Sequence, residues 1–356
     1  MIKVMIVEDS PVIQVLLKEI LESDPDISVT RVLSSAEEAM EALEKEKPDL
    51  ITIDIQLPKM DGLGLTRHVM KENPVPIVVV SGVAETSSVV KSFDLLEAGA
   101  LAAIEKPVGS GHEDYQRLRT QLISTVKLMS EIKLVTRRDL TELKGVIKQS
   151  GGTISAGSLK AIKRNKIIAI GASTGGPTVI QTILKSLPEE FPVPIVIAQH
   201  IAEGFVEGFA SWLKSTTGYN VKIAENSKSL ESSTAYVCPD NFQTGITASG
   251  RFAITSQEYI NGVRPSVSYL FESVSKVYGD RAIAILLSGM GRDGARELKL
   301  IKERGGKTVA QDKESSIVHG MPGEAIKLGA ADHVAGAEAI ADLLRRLAQE
   351  NSKTQG

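Results

Sequence analysis

A single cysteine, Cys238, stands in a chain of 356 residues, so it has no partner for an intramolecular disulfide or a cysteine-rich metal site. That suits a reducing compartment, and the thiol reads as core packing. Aromatic residues make up only 4% of the chain, which argues against a stacking platform for single-stranded nucleic acid and against a carbohydrate cleft. Charge of one sign is also lacking. The net charge is −3, and Lys and Arg are spread along the chain, densest from Lys127 to Lys166, where a solvated linker face is expected instead of a nucleic-acid-binding module. No apolar run approaches membrane-spanning length. The opening MIKVMIVEDS turns acidic at Glu8 and reads as a first strand, not a secretory signal. The expectation is a cytoplasmic protein with no nucleic acid partner and no membrane insertion.

What is present is an ordinary globular balance, 42% apolar and 24% charged, in a chain long enough for two or three domains. From residue 1 to 108, short β-branched runs (Ile2 to Val7, Leu50 to Ile53, Ile77 to Val80, Leu101 to Ile104) alternate with helical patterns such as Val12 to Leu21 and Glu37 to Leu43. Strands apolar throughout belong to a parallel sheet covered on both faces, and ligands then collect outside the carboxyl ends of the strands.

A linker is expected from 109 to 163. Residues 112 to 149 hold no proline, and no glycine before Gly145, with apolar positions Leu118, Leu122, Val126, Met129, Leu140, Leu143 and Ile147 at helical spacing. This predicts one long connecting helix, ending in the flexible joint SGGTISAGS at 150 to 158. Alternation resumes at Ile167 and predicts a second α/β domain over 164 to 350. Its strands are IIAIGAS, IVIAQH, AYVCP, AIAILLSG and TVAQD, with a hairpin-like FQTGITASGRFAIT and a last helix from Ala337 to Gln349.

The strand ends of the first domain carry Glu8 and Asp9, Asp54, Ser81, and Lys106 followed by Pro107. Carboxylates gathered at adjacent strand ends repel one another unless a hard cation sits among them, and Mg²⁺ is held by a few carboxylates with water and phosphate oxygens. Asp54 could then attack a phosphoryl donor, with Lys106 and the metal neutralising its oxygens and Ser81 bonding one of them. Any one of these acids alone is better read as a turn former or helix cap. Together, with Asp54 inside DIQLPKMDG, they resemble the receiver domain of two-component response regulators. The resemblance implies a flavodoxin-like, five-stranded parallel sheet, Mg²⁺ held by Glu8, Asp9 and Asp54, and phosphorylation of Asp54 by a histidine kinase. Receivers carry an aromatic switch residue three positions before the lysine; here that position is Ala103.

In the second domain, IIAIGASTGGP sets Ser173 between a strand and a helix, with Gly171 and Gly175 completing G-x-S-x-G. Such a turn presents a hydroxyl outward and aims helix-start amides toward an oxyanion. The pattern alone does not separate an activated serine from a serine that merely caps a helix. A dinucleotide loop is a second alternative, but it requires an acidic residue at the end of the next strand, and IVIAQH ends in Gln199 and His200. His200 lies where a base would be expected. Asp293, on the glycine-rich turn of LLSGMGRDG, is the candidate orienting acid, with Asp240, Asp280 and Asp312 weaker. The other histidines are His68, His112, His319 and His333.

GASTGGP, AQH, INGVRPSV, LLSGMGRDG and HGMPGEAI together resemble the catalytic domain of the chemotaxis protein-glutamate methylesterases, the CheB family, here with a receiver in front. The resemblance implies a doubly wound, mostly parallel Rossmann-like hydrolase domain. It implies a triad of Ser173, His200 and Asp293, with the amides near Thr174 and Met290 binding the oxyanion and no cofactor at the serine. Implied too are demethylation of glutamate γ-methyl esters on methyl-accepting chemotaxis receptors, deamidation of particular glutamines, and a phosphodonor histidine kinase. The unphosphorylated receiver would cover the Ser173 cleft. Gln243 replaces a histidine of the family pattern, and Ser268 replaces an aspartate after RPSV. A non-enzymatic adaptor and an orphan member serving a non-chemotactic receptor array remain alternatives.

Overall fold

The computed structural model describes residues 1–82, 86–132, 134 and 167–352, with side chains described up to 346. The chain divides into two units between Ser150 and Gly151. In the first, five strands, β1 (Ile2–Val7), β2 (Ile27–Leu33), β3 (Leu50–Ile53), β4 (Ile77–Ser81) and β5 (Ala102–Glu105), form one sheet in the order β2-β1-β3-β4-β5. Every pairing is parallel. β3 and β4 are buried at each position, Thr52 and Ser81 included, as expected of mostly apolar strands covered on both faces. The intervening helices are α1 (Pro11–Glu22), α2 (Ala36–Lys45), α3 (Gly62–Glu72) and α4 (Thr86–Ala98). Two of them start on capping side chains: Ser35 accepts from the Glu38 N–H, and Asp61 from the Gly64 N–H. Gly62 is needed for closeness, since a side chain there would collide with the Asp54 carbonyl.

The connecting helix expected over 112 to 149 is shorter. α5 spans Tyr115–Ser130 and ends where the Glu131 N–H turns back to the Leu128 and Met129 carbonyls. Its buried face, Leu118, Leu122, Val126 and Met129, packs on β3, β4, β5 and α1. Among the described residues, the periodic pattern marks a helix of the first unit whose buried face ends at Met129. The linker from 135 to 163, including the joint at 150 to 158, lies outside the described residues.

The second unit has a seven-stranded sheet in the order β14-β13-β12-β6-β7-β9-β8. The strands are β6 (Ile167–Ala172), β7 (Ile195–Gln199), β8 (Val221–Ile223), β9 (Ala235–Val237), β12 (Ala282–Leu286), β13 (Lys307–Gln311) and β14 (His333–Ala335), all paired in parallel. β10 (Gln243–Ile246) and β11 (Phe252–Thr255) form a separate antiparallel hairpin. The helices are α6 (Gly176–Lys185), α7 (Val206–Thr217), α8 (Val267–Tyr278), α9 (Ala295–Glu303), α10 (Met321–Lys327) and α11 (Ala337–Ser352). The chain winds outward from β6 through β7 to β8 and β9, then returns to β12 on the other side of β6. This reversal makes the carboxyl ends of β12, β6 and β7 the topological switch point, where doubly wound sheets hold their ligands. Among the described residues, no helix is long and apolar enough to cross a membrane.

Candidate functional site

At the carboxyl edge of the first sheet, one carboxylate oxygen each from Glu8, Asp9 and Asp54 lies within 4.8 Å of the others. Glu8 and Asp54 are buried and Asp9 is exposed. Lys106 Nζ donates to Asp54 Oδ2 at 2.8 Å and to Glu8 Oε1 at 3.0 Å. It also stands in ion-pair contact with Glu8 Oε2 at 2.9 Å, yet that buried oxygen receives no hydrogen bond. Burial and the neighbouring Asp54 charge raise the Glu8 pKa against the pull of Lys106. Burial also works against the Lys106 charge, but its bonds to Asp54 and Glu8 win and its pKa rises. An all-oxygen donor set with an unsatisfied buried oxygen suits a hard divalent cation.

A cleft of about 230 Å³ opens over Asp54, lined by Gln56, Ser81, Ser88 and Lys106 among others. The Ser81 hydroxyl donates to the Gly82 carbonyl at 3.1 Å and makes no bond to Asp54. Ala103, half-buried on β5, is paired with Val79 of β4.

At the switch point of the second sheet, Ser173 follows β6, His200 follows β7, and Asp293 stands in the loop after β12. His200 Nε2 lies 2.9 Å from Asp293 Oδ2. Among the described residues neither the Ser173 hydroxyl nor His200 Nδ1 is hydrogen-bonded, so one half of the expected triad is made and the serine contact is still open. Backbone bonds hold the three strand ends together: His200 N–H to the Ala172 carbonyl, Ser173 N–H to that of Ser288, and Leu287 N–H to that of Gly171.

The Asp293 carboxylate is enclosed by donors. Besides His200 it accepts from Asn261 Nδ2 at 2.8 Å, the Ser266 hydroxyl at 2.9 Å, the Val267 N–H at 2.6 Å and the Ser268 N–H at 3.3 Å. Burial pushes its pKa up, but the hydrogen bond and charge of His200, with the bonds from Asn261 and Ser268, outweigh this and hold it at about 2. Val267 can come this close because Gly171 and Gly294 leave room; a side chain at either would overlap it.

The Ser173 N–H is already committed to Ser288, and the Gly289 N–H to Val318. Among the described residues the Thr174 and Met290 N–H groups meet no acceptor. Gly289 lets the loop approach the serine, because a side chain there would overlap Ser173. The weaker acids lie elsewhere. Asp240 accepts from the Gly204 N–H, Asp312 from Ser315, and Asp280 sits in the 3₁₀ turn Gly279–Arg281. His68 is on α3, His112 precedes α5, His333 begins β14, and His319 lies 3.4 Å from the Ser316 hydroxyl, its pKa lowered by burial.

Comparison with known proteins gives this geometry a relationship. The CheB methylesterase family model matches residues 168–344, and the response regulator receiver domain model matches 4–114. The protein-glutamate methylesterase/protein-glutamine glutaminase of Nitrosospira multiformis is 46% identical over 355 residues, covering 100% of this chain and 99% of its own. The chain belongs to the CheB family. A second member, protein-glutamate methylesterase/protein-glutamine glutaminase 1 of Syntrophus aciditrophicus, is 47% identical over 98% of this chain and 99% of its own. The crystal structure of the Thermotoga maritima CheB methylesterase catalytic domain is 38% identical, with a TM-score of 0.50, and covers 51% of this chain and 98% of that one.

The two departures from the CheB pattern both have structural work. Gln243, fully buried, donates to the Glu258 carbonyl and accepts from the Ser266 N–H, joining the hairpin to the start of α8. Ser268 accepts from the Gly294 N–H beside Asp293 and donates to Glu297.

Other supporting residues escaped the sequence reading. Gln199 is buried and donates to the Ser173 carbonyl at 2.9 Å and to the His200 carbonyl at 2.8 Å. Ser288 donates to the Thr174 carbonyl at 2.7 Å and accepts from the Val318 N–H. Asn261 left one local signal: Asn-Gly is a two-residue turn sequence, and here Ile260 and Val263 pair across Asn261 (φ 54°) and Gly262 (φ 78°).

Proposed function

We propose that this CheB-family chain is a phosphorylation-regulated serine hydrolase of the cytoplasm. It cleaves glutamate γ-methyl esters on methyl-accepting chemotaxis receptors and deamidates particular receptor glutamines. The observation that carries this reading is the 2.9 Å contact between His200 Nε2 and Asp293, set at the strand end beside Ser173. With Nε2 held by the carboxylate, Nδ1 is the nitrogen that takes the Ser173 proton. The serine oxygen attacks the ester carbonyl, and the Thr174 and Met290 amides receive the oxyanion. His200 returns the proton to the departing methoxide, methanol leaves, and water brought in by the same base releases the glutamate acid. Glutamine follows the same course with ammonia leaving. An adaptor that only bound receptors would have no use for a buried, ionised Asp293 aimed at a histidine.

In the receiver, Asp54 is the phosphoryl acceptor, from a histidine kinase of the chemotaxis system. Glu8, Asp9 and Asp54 would hold Mg²⁺, which supplies charge neutralisation for the phosphoryl oxygens. Lys106, freed from Asp54, re-pairs with those oxygens, and the Ser81 hydroxyl turns from Gly82 to bond one of them. Phosphorylation raises turnover at Ser173. The test is methanol release from methylated receptor fragments, with and without a small-molecule phosphodonor. The wild-type chain should speed up, Asp54→Asn should not, and Ser173→Ala should release no methanol. Equal rates with and without phosphodonor would sink the regulation, and release by Ser173→Ala would sink the hydrolase assignment.

A further inference from the structure

Glu297 lies half-buried in the first turn of α9, with its Oε2 2.6 Å from the Ser268 hydroxyl. The Ser268 oxygen also faces the Gly294 N–H at 2.9 Å and Asn261 Nδ2 at 3.2 Å, and the same Asn261 nitrogen lies 2.8 Å from Asp293 Oδ1. A hydroxyl has one proton and two lone pairs, whereas an ionised carboxylate only accepts. Glu297 therefore takes the Ser268 proton, and the lone pairs are left for Gly294 and Asn261.

We propose that Glu297 is a positioning residue for the Asp293 carboxylate, acting through the direction of the Ser268 hydroxyl proton. Because Ser268 can only accept from Asn261, the Asn261 amide must turn its NH₂ group toward both Ser268 and Asp293. One N–H goes to each. Without Glu297 the hydroxyl is free to point its proton at Asn261, and the amide answers by presenting Oδ1. An oxygen would then face the Asp293 carboxylate, replacing an attraction with a repulsion, and His200 would lose a firmly held partner. The effect reaches the serine only through Asp293, so it belongs to the chemical step and not to substrate binding.

The inference rests on the Ser173–His200–Asp293 reading, and a double-mutant cycle tests it separately. A simpler role for Glu297 exists, since an acidic residue in a first helical turn favours the helix by its charge. Methanol release by the full chain should be measured for Glu297→Ala, Glu297→Gln, Ser268→Ala and Ser268→Ala/Glu297→Ala. With one charged hydrogen bond at stake, Glu297→Ala should lower kcat about tenfold and leave KM within about twofold. Glu297→Gln keeps an acceptor and should stay within about threefold of wild type. In the Ser268→Ala background, Glu297→Ala should cost no more than about twofold, because the proton it directs is gone. Equal losses in both backgrounds would overturn the proposal in favour of the helix charge. So would a Gln variant as poor as the Ala variant, or a Glu297→Ala enzyme as fast as wild type. Should Glu297→Ala fail to fold, the Gln variant still decides: kcat within about threefold of wild type supports the proposal and a loss of about tenfold overturns it. Methanol release by Ser173→Ala would instead bring down the triad reading on which the proposal stands.

Discussion

His200 meets Asp293 through Nε2, at 2.9 Å, which reserves Nδ1 for the serine side. Every other group around the carboxylate, Asn261, Ser266 and the Val267 and Ser268 amides, is a donor. An amide in its place would have to point its NH₂ at another N–H or O–H.

Asp293→Asn should therefore lower kcat by about 10³ to 10⁴ through the wrong histidine tautomer. The protein should remain folded. Initial rates of methanol release, with circular dichroism as the control for folding, check this; a loss under tenfold would contradict it.

The same carboxylate links stability to pH. Its folded pKa, about 2, lies below the ordinary aspartate value of 3.8, so its contribution is full above the unfolded value and is lost as pH falls through the folded one. A depression of that size stabilises by about 2 kcal/mol. Trp212 is the one tryptophan in the chain and is fully buried in the second unit, so its fluorescence reports that unit alone. Urea unfolding followed at Trp212 should lose less stability between about pH 4 and about pH 2 in Asp293→Asn than in wild type.

Gln199 fixes the backbone of Ser173 and His200, the proposed nucleophile and base, at once, through 2.9 and 2.8 Å bonds to their carbonyls. Gln199→Leu should lower kcat about 10- to 100-fold with little change in KM, since misplacement of reacting groups is costly. Gln199→Glu should do at least as badly, because an oxygen would then face a carbonyl. Steady-state kinetics of the two variants are the measurement.

Chelation separates the two sites. With excess EDTA, labelling of Asp54 by a phosphodonor should stop, because Lys106 alone is left to offset three carboxylates and the incoming phosphoryl group. Unstimulated methanol release should not change. Lys106→Met should slow the labelling even with Mg²⁺ present, as it removes the ammonium bonded to Asp54. Phosphoprotein gels and methanol assays on the same samples provide both readouts.

Much of this was legible in the sequence because parallel strands covered on both faces are predominantly apolar. Ile2–Val7 and Leu50–Ile53 fall at the expected positions, so the sequence alone places Glu8, Asp54, Ser173 and His200 at strand ends. What failed was non-local. The helical period after Tyr115 has no glycine or proline before Gly145, yet α5 ends at Ser130, one residue past its last buried position, Met129. Gln199 and Ser288 read as ordinary polar residues next to strands. Their bonds go to carbonyls 26 and 114 residues away, which no local pattern encodes.

The backbone bonds that tie Ala172 to His200, Gly171 to Leu287 and Ser173 to Ser288 continue the ladder of the central sheet into the loops of the proposed triad. The site should therefore not melt apart from the sheet: these amides are expected among the slowest-exchanging of the unit, and heat should inactivate the enzyme only as fast as it opens the sheet itself.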